Sequence, residues 1–153
     1  MKCIFCEFNK NKKFHSLKKE YPLIIVYQSK NILAFLSNPN NVGHSDLLII
    51  PKKHFEFIEE IPPKIQNELI RLSSKAAGIL RKKYGGSNIL LNNGRSAEQW
   101  IQHVHFHIIP KISKKATILN KYVGKNPWKN LSVKEFTKIS NKLKQDFKTL
   151  KKD

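Results

Sequence analysis

Three histidines alternate with apolar residues along one short stretch, which reads His103-Val104-His105-Phe106-His107. A period of two is the period of a β-strand, so the pattern predicts a strand whose imidazoles leave one face about 7 Å apart. Near neutral pH an imidazole can transfer a proton, bind a metal ion or attack phosphorus. The residues alone leave three interpretations open: a metal site, a covalent phosphoryl-transfer site, or a set of buried structural histidines.

The rest of the chain predicts the sheet to which this strand belongs. β-Branched and apolar runs bounded by turn residues predict four more strands, at residues 21–27, 31–36, 47–50 and 88–91. The short connection between the first two favours antiparallel pairing. The predicted fold class is α+β: an antiparallel meander sheet with one long helix across it and a basic helical C-terminal tail.

Two amphipathic helices accompany this sheet. Apolar residues recur at helical spacing after Pro62 and Pro63, a favourable pair for a first turn, and the pattern ends at Gly85. A second helix is predicted from Ser132, which begins a capping-box sequence, toward Lys148.

Length and composition limit the class of protein. The chain has 153 residues, 40% of them hydrophobic, which is enough for one domain with a buried core. No apolar run approaches the roughly 20 residues of a membrane span, and the N-terminus lacks the apolar region of a signal peptide. We therefore expect a cytoplasmic protein without membrane contact. Cys3 and Cys6 are the only cysteines, and their spacing is typical of a metal knuckle.

The formal net charge of +18 is concentrated near the C-terminus. Residues 111–153 carry thirteen lysines against Glu135, Asp146 and Asp153, a net charge of +10. Such a segment can attract nucleic acid or polyphosphate substrates. The alternative is that the lysines are solvated surface groups and that the apolar face of the tail helix packs on the sheet or on a dimer partner.

Four short motifs precede the histidines. They are CIFC at residues 3–6, IPKKH at residues 50–54, NNG at residues 92–94, and Gln99, four residues before the first histidine. Together with the HVHFHIIP run at residues 103–110, these segments resemble the histidine triad (HIT) family of nucleotide hydrolases and transferases. The resemblance extends to its bacterial-type members with an N-terminal CxxC zinc knuckle.

The resemblance implies a HIT-like fold, with a HIT domain over residues 1–111. It leaves residues 112–153 as a basic C-terminal extension, which we expect to be helical and packed on the same domain. Family members usually form homodimers, so we also expect a homodimer.

The resemblance further implies catalytic roles for His103, His105 and His107. The middle histidine of the family attacks the α-phosphorus of a nucleotide, which makes His105 the candidate nucleophile, while His107 would donate to a phosphate oxygen. The implied activity is a nucleotide hydrolase or nucleotidyl transferase that forms a covalent nucleotidyl-histidine. Its substrate would be a purine nucleotide: a nucleoside phosphoramidate, a dinucleoside polyphosphate or a nucleotidyl adduct. The alternatives are a nucleotide- or nucleic-acid-binding HIT protein with little turnover, and an end-processing deadenylase.

Five positions correspond to nucleotide contacts in the family or lie beside them. Phe35 matches an apolar position beside the base, Asn93 and Gln99 match contacts to the ribose-phosphate, and His44 and Trp100 complete the predicted pocket. Trp100 stands where the family usually has Ser or Thr near the leaving group.

Another departure concerns a histidine that the family usually places five residues before the proline of the IPKKH motif. In this chain Asp46 occupies that position, and His44 lies two residues earlier.

The resemblance also implies a structural zinc ion held by Cys3, Cys6, His54 and His103. Two sulfurs and two imidazoles form a closed tetrahedral set that leaves no open position for catalysis. We therefore expect a structural zinc and no cofactor in the reaction itself.

Overall fold

A five-stranded antiparallel sheet forms the centre of the fold. The computed structural model describes residues 3–11, 13–14, 21–37, 46–110 and 131–149. Within these ranges the elements are, in chain order, α1 (Ile4–Asn11), β1 (Lys13–Phe14), β2 (Tyr21–Pro22), β3 (Ile25–Gln28), β4 (Ile32–Leu36), β5 (Leu47–Pro51), α2 (Pro63–Tyr84), β6 (Ser87–Leu91), β7 (Phe106–Pro110) and α3 (Val133–Thr149).

The strands of the sheet follow the order β3-β4-β5-β7-β6, and each neighbouring pair is antiparallel. β1 and β2 pair separately as a short antiparallel ribbon. The predicted α+β fold, with its antiparallel sheet, long helix and helical tail, is confirmed. The domain boundary at residue 111 falls at the edge of a segment outside the described residues and stays a prediction.

The neighbouring strands β4 and β5 hold most of the buried residues of the five-stranded sheet. Every residue of β4 and of β5 is buried, and the two strands pair in register from Ile32 opposite Pro51 to Leu36 opposite Leu47. Strands that are apolar without alternation are typical of a sheet covered on both faces. One cover is α2, which packs on β5, β6 and β7 through a buried stripe of residues: Leu69, Leu72, Ser73, Ala76 and Leu80.

The ends of α2 follow the sequence signals that predicted them. Pro63 occupies the first turn, where its missing N–H leaves no hydrogen bond unmade. Gly85 ends the helix at φ +88°, a left-handed conformation that favours glycine, and its N–H donates to the Arg81 carbonyl at 2.8 Å. Among the described helices, none is long and apolar enough to cross a membrane.

The basic helix α3 is part of the fold. It packs against β3 and β2 through residues at helical spacing: Phe136, Ser140, Leu143 and Phe147. The predicted capping box is present, since the Ser132 N–H donates to Glu135 Oε2 at 2.8 Å and the Glu135 N–H donates to Ser132 Oγ at 3.3 Å. Tyr21 secures the start of the helix by donating its hydroxyl to the Leu131 carbonyl at 2.8 Å. In the structure, residues 133–149 thus form a helix that packs on the sheet, while the extension as a whole stays a prediction.

The structure differs from the sequence prediction around the histidines. β7 begins at Phe106, so His103 and His105 precede the strand, and both are buried together with Val104. The Val104 N–H donates to the Phe55 carbonyl at 2.8 Å instead of to a neighbouring strand. The prediction that all three imidazoles leave one face of a single strand is therefore wrong. His103 and His105 lie before the strand, and their rings pack against Phe5 of α1.

Two other elements also differ from prediction. The strand predicted over residues 21–27 is divided into β2 and β3. No pattern in the sequence predicted α1, a helix of eight residues.

Candidate functional site

His103 occupies the centre of the candidate site and is fully buried. Its Nε2 lies 2.9 Å from the Pro51 carbonyl oxygen. A carbonyl can only accept a hydrogen bond, so Nε2 donates and Nδ1 carries the lone pair. Burial lowers the pKa of His103 to about 4, which keeps the ring neutral at pH 7.

The lone-pair nitrogen of His103 faces two cysteines. Its Nδ1 lies 3.4 Å from Cys3 Sγ and 3.7 Å from Cys6 Sγ. The Cys3 carbonyl accepts a hydrogen bond from the Glu7 N–H at the start of α1. Cys6 follows Cys3 by three residues, and residues at this spacing lie on the same side of a helix. The unpredicted helix α1 thus brings the CxxC motif to the sheet.

His54 completes a group of four candidate metal ligands. Its Nδ1 lies 3.5 Å from Cys6 Sγ, and the ligand atoms of Cys3, Cys6, His54 and His103 all lie within 4.8 Å of one another. In a tetrahedral zinc site, bond lengths of about 2.3 Å to sulfur and about 2.0 Å to nitrogen place neighbouring S and N atoms about 3.5 Å apart. The hydrogen bond from His103 to Pro51 is the usual second contact of a metal-ligating histidine. The four residues fit zinc by donor type and by spacing.

His105 has a neutral ring whose proton position is fixed by the main chain. Its Nδ1 lies 2.7 Å from the His103 carbonyl oxygen, so Nδ1 donates and Nε2 carries the lone pair. Burial is the main cause that lowers the pKa of His105 to about 4, and the neighbouring His107 lowers it further. At pH 7 the ring therefore has the unprotonated nitrogen that a nucleophile needs.

His107 lies on β7, next to His105, with 4.7 Å between the ring centroids. Its Nδ1 contacts the Oδ2 atom of Asp46, a residue with 1% exposure. The sequence identified Asp46 only as a departure from the family pattern. Its pairing with His107 follows from the register of β5 and β7, which becomes known only with the sheet order.

Gln99 and Asn93 hold the loop before the histidines. Gln99 is buried, accepts from the Gly94 N–H at 2.6 Å and donates to the Glu56 carbonyl at 2.7 Å. Asn93 accepts from the Ile58 N–H at 3.1 Å and donates to Glu59 Oε2 at 3.0 Å. Both amides thus tie residues 92–99 to residues 56–60, and their contacts to a nucleotide stay predictions.

The other predicted nucleotide contacts lie in different surroundings. Phe35 is fully buried, with its ring 6.1 Å from that of Phe5 and 5.6 Å from that of Phe8. Trp100 is 89% exposed, so its indole is accessible at the surface of the loop. His44 lies outside the described residues. The nucleotide roles of these three residues also stay predictions.

Comparisons with known proteins agree with this arrangement. A family model described as the HIT domain matches residues 18–114. An uncharacterised HIT-like protein of Methanocaldococcus jannaschii is 41% identical over 111 residues, which cover 71% of this chain and 78% of that protein. The adenosine 5'-monophosphoramidase of Saccharomyces cerevisiae is 34% identical over 118 residues, covering 76% and 67%. A zinc-bound histidine triad family protein from Mycobacterium smegmatis has a TM-score of 0.70 at 22% identity and covers 98% of each chain, which shows a shared fold.

The ligand group predicts one zinc ion per chain. Protein purified without chelator should contain zinc by elemental analysis, and Cys6→Ser should lose it because an alcohol replaces a thiolate ligand. Loss of the ion should lower the melting temperature by at least about 5 °C, since α1 would lose its attachment to the sheet. A chelator should lower the melting temperature of the wild type and leave that of Cys6→Ser unchanged. Wild-type protein without zinc would contradict the prediction.

Proposed function

Because this chain belongs to the histidine triad (HIT) family, we propose that it is a nucleotide hydrolase in which His105 attacks the α-phosphorus. The proposal rests on the tautomer and the neutral charge of the His105 ring. Its Nδ1 is occupied by the His103 carbonyl, and burial keeps the ring neutral, so Nε2 retains a lone pair at pH 7.

In the proposed reaction, Nε2 of His105 forms a bond to phosphorus. The leaving group departs with the electron pair of the broken bond and takes up a proton from solvent, which is balanced by the proton that the attacking water releases in the second step. The nitrogen–phosphorus bond places positive charge on the imidazole, and the His103 carbonyl stabilises that charge through the Nδ1 proton. Water then attacks phosphorus, the bond to Nε2 breaks, and the nucleoside monophosphate leaves. His107, 4.7 Å away between ring centroids, would donate from Nε2 to a phosphate oxygen.

A zinc ion has a structural role in this proposal. Held by Cys3, Cys6, His54 and His103, it would supply a cross-link between the N-terminal helix, the end of β5 and the segment before β7. Since His103 is both a ligand and the carbonyl partner of His105, the cross-link would also hold that carbonyl in place. The chain's own histidines carry out the chemistry.

The proposed substrate is a purine nucleotide with a bond to nitrogen or to a further phosphate at its α-phosphorus. Among the three substrate classes we favour a nucleoside phosphoramidate, because the similar yeast protein is named an adenosine 5'-monophosphoramidase. A dinucleoside polyphosphate and a nucleotidyl adduct are the other two classes. Trp100, exposed beside Gln99, offers an aromatic surface for the leaving group.

We also propose a homodimer. Ile70 on α2 is 51% exposed. Ile89 is 41% exposed and lies on β6, an end strand among the described strands of the sheet. Exposed apolar residues and a sheet edge both favour pairing with a second chain. A cytoplasmic location stays a prediction of the sequence.

The proposal predicts that His105→Asn loses turnover. Asparagine keeps a polar side chain but cannot form the covalent intermediate, so kcat should fall by at least about 10³-fold. Binding of adenosine monophosphate should stay within about threefold, which controls for folding of the site. Hydrolysis of an adenosine phosphoramidate at the wild-type rate by the variant would contradict the assignment.

One observation favours a second candidate function, binding of single-stranded nucleic acid. A cavity of about 430 Å³ lies between α2 and α3 and is lined by Lys64, Arg71 and Lys75, with the aromatic ring of Tyr27. An adjacent cavity of about 150 Å³ adds Lys144 and Lys148 of α3 and shares Tyr27. A groove with cations on both sides and an aromatic ring is suited to a nucleic-acid backbone and its bases.

The groove predicts a strong salt dependence. Binding of single-stranded DNA should weaken between about 50 and 200 mM salt, because each neutralised phosphate releases counterions. The double variant Arg71→Ala/Lys144→Ala should reduce both the affinity and the salt slope. Lys82→Ala/Lys134→Ala removes the same charge outside the groove and should have a smaller effect. If single-stranded DNA does not bind at low salt, or if both double variants weaken binding equally, nucleic-acid binding in the groove is contradicted. Hydrolysis of nucleotides should be unchanged in both double variants.

A further inference from the structure

Asp46 lies immediately before β5 and is held there by main-chain contacts. The Ser37 N–H donates to the Asp46 carbonyl at 2.8 Å, and the Asp46 N–H donates to Ser37 Oγ at 3.0 Å. Ser37 follows β4, so the two contacts extend the pairing of β4 with β5 by one residue. The backbone of Asp46 is thereby fixed relative to the sheet.

The register of the sheet directs the Asp46 side chain toward His107. Leu48 of β5 pairs directly with His107 of β7. Asp46 lies two residues before Leu48, so it shares the same face and is a diagonal neighbour of His107. Its Oδ2 contacts His107 Nδ1.

Because Asp46 is buried, its carboxylate needs the hydrogen bond from His107. With 1% exposure, the carboxylate has lost most of its hydration, and a buried charge is costly unless it is paired and hydrogen-bonded. The ring N–H of His107 supplies such a bond.

A carboxylate can only accept, so the contact keeps a proton on His107 Nδ1, and donation from Nε2 to a phosphate oxygen requires a second proton on the ring. His105 has the same arrangement, because its Nδ1 donates to the His103 carbonyl. In both neighbouring rings, therefore, Nδ1 is hydrogen-bonded to the protein. When His107 donates from Nε2 to a phosphate oxygen, its ring carries two protons and a positive charge, and the Asp46 carboxylate balances that charge.

We propose that Asp46 is the positioning residue of the site, which holds His107 with its proton on Nδ1 and its Nε2 toward the phosphate. The proposal rests on the proposed hydrolase function for its catalytic part. A carboxylate behind a catalytic imidazole acts in this way in other enzymes, where it sets the tautomer and stabilises the cation. Asp46 would act through His107 and would not touch the substrate.

The first test is the tautomer of His107, which needs no substrate. Long-range ¹H–¹⁵N NMR spectra of the full-length protein should show a protonated Nδ1 on His107, assigned by comparison with His107→Gln. In Asp46→Ala the proton should move to Nε2, which free imidazole favours. Ser37→Ala is the matched control: it weakens the same backbone pairing, keeps the carboxylate and should retain the Nδ1 proton. An unprotonated Nδ1 in the wild type would overturn the proposal.

The second test separates kcat from KM on an adenosine phosphoramidate. Asp46→Ala and the equal-sized Asp46→Asn should both lower kcat by about 10²-fold and change KM by less than about threefold, because the lost interaction acts mainly in the transition state. Wild-type kcat in either folded variant would overturn the positioning role. An active His105→Asn protein would instead refute the proposed function, and it would leave the NMR result standing.

Discussion

The organisation of the site depends on the hydrogen bonds of one residue, His103. Its Nε2 donates to the Pro51 carbonyl, its Nδ1 faces the two cysteines, and its own carbonyl accepts from His105 Nδ1. The contact with Pro51 fixes the tautomer of His103. The contact with the cysteines places α1 beside His103, and the contact with His105 leaves the lone pair of that ring on Nε2. A metal-binding group and a candidate nucleophile are thus joined through two residues of one chain segment.

Burial gives this arrangement its electrostatic character. Desolvation lowers the pKa values of both His103 and His105 to about 4, and these neutral rings suit a metal ligand and a nucleophile respectively. Part of the positive charge of the protein lies on other elements, including α2 and α3. A net charge of +18 can draw anionic nucleotides toward the molecule, while the site itself uses neutral donors and one buried carboxylate. The long-range attraction and the local chemistry are therefore supplied by different residues.

The sequence predicted those features that arise from local periodicity or from residue type. The spacing of Leu69, Leu72 and Ala76 predicts α2, and the Ser132 capping box predicts the start of α3; both helices are present. The resemblance to the HIT family identified the four metal-ligand candidates, and the structure brings them together. The start of β7 was predicted too early, because pattern alone cannot tell that a segment leaves the sheet to contact the N-terminus.

Local sequence patterns could not predict contacts that depend on the order of the strands in the sheet. Asp46 and His107 lie 61 residues apart, and their contact follows only from the pairing of β5 with β7. Likewise, the hydrogen bond from the Gln99 amide to the Glu56 carbonyl depends on where residue 56 passes the loop. The sequence predicted which residue types form the site, whereas their hydrogen-bond partners required the tertiary structure.

The stereochemistry at phosphorus tests the central claim, attack by His105, most directly. A substrate with a chiral α-phosphorothioate, hydrolysed in isotopically labelled water, reports the number of displacements. Attack by His105 followed by attack by water comprises two inversions, so the account predicts overall retention of configuration. Net inversion would show that water attacks phosphorus in a single step, and it would contradict a covalent nucleotidyl-histidine.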